Sequence, residues 1–165
     1  MDENQIAGLI AVAVSEAKRN YHGDTSAAIS NLHPLREDFS PEEVSMESLN
    51  ADWSGAFAYH CAKLAGLRLP PRYPDPRVRS GFQRVQAWRE YAMLHKIRLW
   101  HSPAEPLRPG DFVIFRLAED RPELIGIVLA VEGDTMELAV GNYHNHSAVV
   151  ERPIDGLISG FVRLP

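Results

Sequence analysis

The chain has 165 residues, 45% from the hydrophobic set and 24% charged, with a formal net charge of −5. That is enough chain to bury a core without a staple, and the balance excludes both a disordered segment and a polycation, so no nucleic-acid partner is expected. The single cysteine, Cys61, excludes an internal disulfide and a cysteine-rich zinc module, and no apolar run approaches the roughly 18 residues of a membrane span.

Ile6, Leu9, Ile10, Ala13, Ala17 and Tyr21 recur at helical spacing and predict a first helix with one apolar stripe. Asp2 and Glu3 suit the positive end of its dipole, and Lys18 and Arg19 the negative end. A secretory leader needs a basic flank before its apolar run, so a cytoplasmic chain is expected. Residues 22–52 are polar and irregular, interrupted at His33-Pro34 and Ser40-Pro41. Ser40-Pro41-Glu42-Glu43 predicts a short helix capped by Ser40. A second helix is predicted with Asp52 as cap, Phe57, Cys61 and Leu64 on its apolar face and Gly66 as its stop. Pro70, Pro71, Pro74 and Pro76 make a stiff extended connection. A third helix is predicted from Ser80 to His95, with Phe82, Val85, Trp88, Tyr91 and Ala92 on one side.

After residue 105 the pattern becomes that of strands. Predicted runs are Phe112–Phe115, Leu124–Val131, Met136–Val140, Ala148–Val150 and Ile158–Val162, with a hairpin turn at Gly133-Asp134. Helices first and an antiparallel sheet last define an α+β chain. Residues 1–50 read as a helix and an irregular segment packed on a core formed by 51–165, one globular unit overall.

Charge is unevenly placed. Residues 1–55 carry three basic and ten acidic groups, net −7, whereas residues 68–98 carry eight basic and two acidic groups, net +6. The basic segment either offers a surface to an anionic partner, or its Arg68, Arg72, Arg77, Arg79, Arg84 and Arg89 lie against acidic neighbours and solvent.

Three stretches then fall in a meaningful order: Asp52-Trp53-Ser54-Gly55-Ala56-Phe57; Pro109-Gly110-Asp111-Phe112 followed by Leu124-Ile125-Gly126-Ile127-Val128; and Val140-Gly141-Asn142-Tyr143 followed by Ile158-Ser159-Gly160-Phe161. Over residues 50–164 this resembles the CHAP family of papain-like cysteine amidases and peptidases, and more distantly the NlpC-type cell-wall (peptidoglycan) hydrolases. The resemblance implies N-terminal helices packed on a small curved antiparallel sheet, with the site where a helix N-terminus meets the first strands. In such a site a thiolate is stabilised by the helix dipole, a histidine shuttles the proton and a polar group orients the ring.

The resemblance places the nucleophile at Ser54, the histidine at Leu124, the orienting acid at Val140 and a further polar residue at Asn142. Only Asn142 keeps the family residue type. A serine needs a general base more than a cysteine does, and leucine and valine supply neither base nor orientation. The expectation is a pseudoenzyme that binds a peptide, glycopeptide or protein partner near Trp53, Ser54, Asn142 and Tyr143. The alternative is an active amidase or peptidase in which Ser54, natural or an engineered replacement of cysteine, works with a histidine relocated from His101, His144 or His146. Trp53 is open to two roles, packing or ligand contact. Cys61 reads as a small core residue and His60 as an interhelix or surface histidine. His144 and His146 are spaced for a metal pair but lack a third ligand, so no metal and no cofactor are expected.

Overall fold

The computed structural model describes residues 1–165. Five helices, α1 (Glu3–Ala17), α2 (His33–Arg36), α3 (Met46–Ala51), α4 (Ser54–Leu64) and α5 (Val85–Met93), precede a sheet of β1 (Trp100–His101), β2 (Phe112–Arg116), β3 (Glu123–Glu132), β4 (Thr135–Tyr143), β5 (His146–Pro153) and β6 (Ile158–Val162). All pairings are antiparallel and the spatial order is β1-β6-β2-β3-β4-β5. The chain is therefore α+β, as its patterning predicts. No helix is long and apolar enough to cross a membrane.

Local chemistry accounts for the element boundaries. Asp2 and Gln5 form a reciprocal capping box that starts α1: the Gln5 N–H donates to the Asp2 carboxylate at 2.8 Å, and the Asp2 N–H donates to the Gln5 side chain at 2.9 Å. Gly66 ends α4 with φ of +82°, the left-handed conformation that lets the Leu67 N–H reach back to the Ala62 carbonyl. The helix predicted to start at Ser40 is instead a turn over residues 41–43. The helix starts later, at Met46, where the Ser45 hydroxyl accepts the Ser48 N–H. Asp52 does not cap α4; Trp53 occupies that position with no side-chain cap bond. The third predicted helix is shorter, because residues 80–84 are committed elsewhere. The Phe82 N–H donates to the Pro71 carbonyl, and the Phe82 carbonyl accepts the Trp88 indole N–H. The sequence pattern did not reveal α2, which takes Pro34 into its first turn, or the two-residue β1.

Period-two alternation sorts the strands into two faces. Phe112, Ile114, Ile125, Ile127 and Ala139 join the helices in the larger core, which also takes in Leu9 and Ala13 of α1, Leu35 and Leu49. The N-terminal segment thus shares one core with the helices and sheet that follow it. Val113, Phe115, Leu124, Val128, Leu138, Val140 and Phe161 form a second core on the other face. The sheet curls to close that second core: the Arg152 guanidinium of β5 lies 4.5 Å from the ring centre of Phe115 on β2, although β3 and β4 intervene in the strand order.

Candidate functional site

The start of α4 is wedged between backbone on one side and sheet on the other. A Cβ at Gly55 would stand 2.6 Å from the Gln83 carbonyl oxygen, and one at Gly141 only 2.4 Å from the Phe57 Cβ and 2.9 Å from the Trp53 ring. Two glycines therefore allow the helix to seat this closely. Ser54, at the first helical position, is fully buried, and its oxygen accepts the Ile125 N–H at 3.3 Å. No histidine nitrogen hydrogen-bonds to it. Trp53 is also fully buried, with its indole N–H lacking a hydrogen-bond partner. The Trp53 side chain has no exposed surface and packs close against Gly141.

The predicted constellation is only partly brought together. Ser54 meets β3 through the backbone of Ile125, so the strand expected to carry the histidine does lie against the helix start. The side chains of Leu124 and Val140, however, belong to the core on the far face of the sheet. The α4 face at this level is met by Ile125 and Gly141. Leu124 and Val140 are thus core residues of the curled sheet, and Leu124 also reaches the cleft beside the helix start. Asn142 and Tyr143 end β4 half-buried. Asn142 has φ of +60°, and the Tyr143 ring packs edge-on against His144 with centroids 4.8 Å apart.

Beside the helix start lies a cleft of about 490 Å³. Its walls come from the α3–α4 junction (Ala51, Asp52), the β2–β3 loop (Leu117, Ala118, Arg121, Pro122), the start of β3 (Glu123, Leu124) and the end of β4 (Asn142, His144). The cleft carboxylates differ. Burial alone would raise the Glu123 carboxyl, but it is held below the usual range. Arg89 and Ser159 both donate to one Glu123 oxygen, at 2.7 and 2.6 Å. Burial pushes the Asp52 carboxyl up, and its ion pair with Arg84 spans 3.8 Å. Arg121 and His144 are exposed on the rim.

A second polar cluster, which no sequence motif revealed, links α1, the chain after α2, and α4. His60 Nδ1 lies 2.6 Å from the Asp38 carboxylate and its Nε2 3.6 Å from that of Glu16. The Tyr21 hydroxyl donates to Glu16 at 2.7 Å, and Lys63 donates to Asp38 at 2.7 Å. Burial, then the Glu16 bond, pushes the Tyr21 phenol up. Burial works against the Asp38 charge, but the bonds from His60 and Lys63 outweigh it and leave that carboxyl below its usual range. His60 is thus an interhelix residue. Cys61 is buried in the core, where burial and the Glu16 and Asp38 charges raise its thiol well above the ordinary value.

Most of the basic segment has acidic neighbours. Arg77 and Lys96 meet Asp75, Arg79 meets Glu90, Arg89 meets Glu123, Arg72 meets Glu43 and Arg84 meets Asp52. The three candidate relocated histidines are scattered. His101 pairs with Glu105 and stacks on Phe161, His144 lies on the cleft, and His146 neighbours His22 at the β5 edge. No group of three or more histidine, cysteine, aspartate and glutamate side chains is gathered as for a metal ion. Compared with protein-family models, curated proteins and solved structures, the chain matches none significantly.

Proposed function

We propose that this chain is a CHAP-like domain of papain type that has lost its catalytic set and uses the cleft beside α4 to bind a peptide, glycopeptide or protein segment without cleaving it. The observation that carries this reading is the state of Ser54. Its hydroxyl is buried and engaged with the Ile125 amide, while an open cleft lies next to it. A hydroxyl nucleophile needs a base within hydrogen-bond reach and a path to the substrate carbonyl, and Ser54 has neither. A volume in the usual ligand-site range, apolar walls and a few polar groups on the rim suit recognition. The binding residues in this reading are Asp52, Leu117, Arg121, Leu124, Asn142 and His144.

One observation favours the alternative of an active amidase: His144 lines the same cleft. That mechanism requires Ser54 to leave the Ile125 amide and turn outward. Incubation of the purified chain with peptidoglycan fragments and a peptide-amide library separates the two. Retention of intact ligand is the expected result. Saturable turnover that disappears in Ser54→Ala would overturn the proposal.

A further inference from the structure

We propose that the cleft selects a peptide segment carrying a basic side chain, the cationic head against Asp52 and the aliphatic stem along Leu117 and Leu124; this rests on the reading of the cleft as a ligand site. The inference follows from how the charges around the cleft are used. Glu123 already holds two close donors, at 2.7 and 2.6 Å on one oxygen, with the Arg116 guanidinium 3.8 Å from that same oxygen. Asp52 differs in that its only ion-pair partner, Arg84, stands at 3.8 Å, and Arg84 is itself partly solvated. Burial disfavours the Asp52 charge and outweighs what Arg84 and the Ser54 backbone amide return, so a cation arriving in the cleft would add to an interaction that the fold leaves incomplete.

The walls match the rest of such a side chain. Ala51, Leu117, Ala118, Pro122 and Leu124 provide apolar surface for methylenes, which long basic side chains readily lay down while their heads stay polar. Asn142 adds an amide at the same rim. Arg121 is the opposing feature, because its exposed guanidinium favours an anionic ligand instead. The choice between the two rests on position: Asp52 is half-buried, where a charge is poorly screened, and Arg121 is exposed, where solvent and salt weaken it.

The test is an NMR titration of the full chain with three probes that differ in one group: the N-acetyl, N-methylamide derivatives of lysine, norleucine and glutamate. The lysine probe is expected to shift resonances of residues 117–124 and 142–144 and to bind about ten-fold more tightly than norleucine, the size of one charge-assisted hydrogen bond. Asp52→Asn, with its spectrum otherwise preserved, is expected to abolish that preference. Equal binding of norleucine, preference for glutamate, or a lysine preference that survives in Asp52→Asn would overturn the inference while leaving the cleft as a ligand site. Failure of every probe to shift those resonances, or binding unchanged by the cleft-filling Ala118→Trp, would overturn the reading of the cleft itself and this inference with it.

Discussion

Helix α4 carries a polar region towards each end, and the two use their charges differently. Towards its C-terminal end, Glu16, Tyr21, Asp38, His60 and Lys63 satisfy one another at 2.6 to 3.6 Å, and the two carboxylates are nearly out of solvent. At its N-terminal end, Asp52, Arg121, Asn142 and His144 face an open cleft, with one ion pair at 3.8 Å between them and the rest of the chain. Polar groups that complete one another hold elements together; those left facing a cavity are available to a ligand. Ser54 sits at the cleft end yet behaves like a member of the first kind, because its one bond joins the helix to β3.

Four substitutions sharpen or break this contrast. Trp53→Ala should have the largest effect, about 4 kcal/mol lost in denaturant unfolding, the usual cost of truncating a buried large aromatic. A loss below about 1 kcal/mol would place the indole outside the core. Asp38→Ala should cost about 2 kcal/mol, because it strips His60 and Lys63 of their acceptor. The Asp38 carboxyl lies below its unfolded value. Its contribution is therefore present above the ordinary carboxylate range and is lost as pH falls through the lowered value. The variant should accordingly show a flatter acid limb when unfolding is followed against pH.

Ser54→Ala should cost about 1 kcal/mol through the lost bond to the Ile125 amide and leave ligand-induced shifts in the cleft unchanged. A variant of full stability that loses binding would contradict the structural role. Asp52→Asn should have the smallest effect and the opposite sign. Because the folded carboxyl is raised, the native state holds the extra proton, and stability falls as pH climbs from the ordinary value through the raised one. The variant should match the parent in acid and gain less than about 1 kcal/mol at neutral pH, as read from Tm at the two pH values.

Much of the fold is legible in the chain itself. The short continuous apolar runs Phe112–Phe115 and Leu124–Val128, with the Gly133-Asp134 turn, yield the central strands and the hairpin. Within β3 the period of two puts Leu124 on the face opposite Ile125 and Ile127, whereas the face of Val140 depends on the register of β4 against β3, which no local pattern gives. Matching by motif position passes over that parity. The Glu16–His60–Asp38 cluster was beyond reach for a different reason: its members lie 22 residues or more apart on separate elements, so no local spacing marks it. Nor does a sequence disclose that Trp53 and Ser54 have no exposed surface, since that depends on the close seating of α4 allowed by Gly55 and Gly141.

The role of Ser54 decides most directly between a binding domain and a hydrolase. Treatment of the native chain with a fluorophosphonate, followed by mass mapping of modified serines, reads the reactivity of that hydroxyl. A buried oxygen tied to the Ile125 amide should remain unlabelled under conditions that fully modify a serine hydrolase. Stoichiometric labelling at Ser54 of the folded chain would contradict the account.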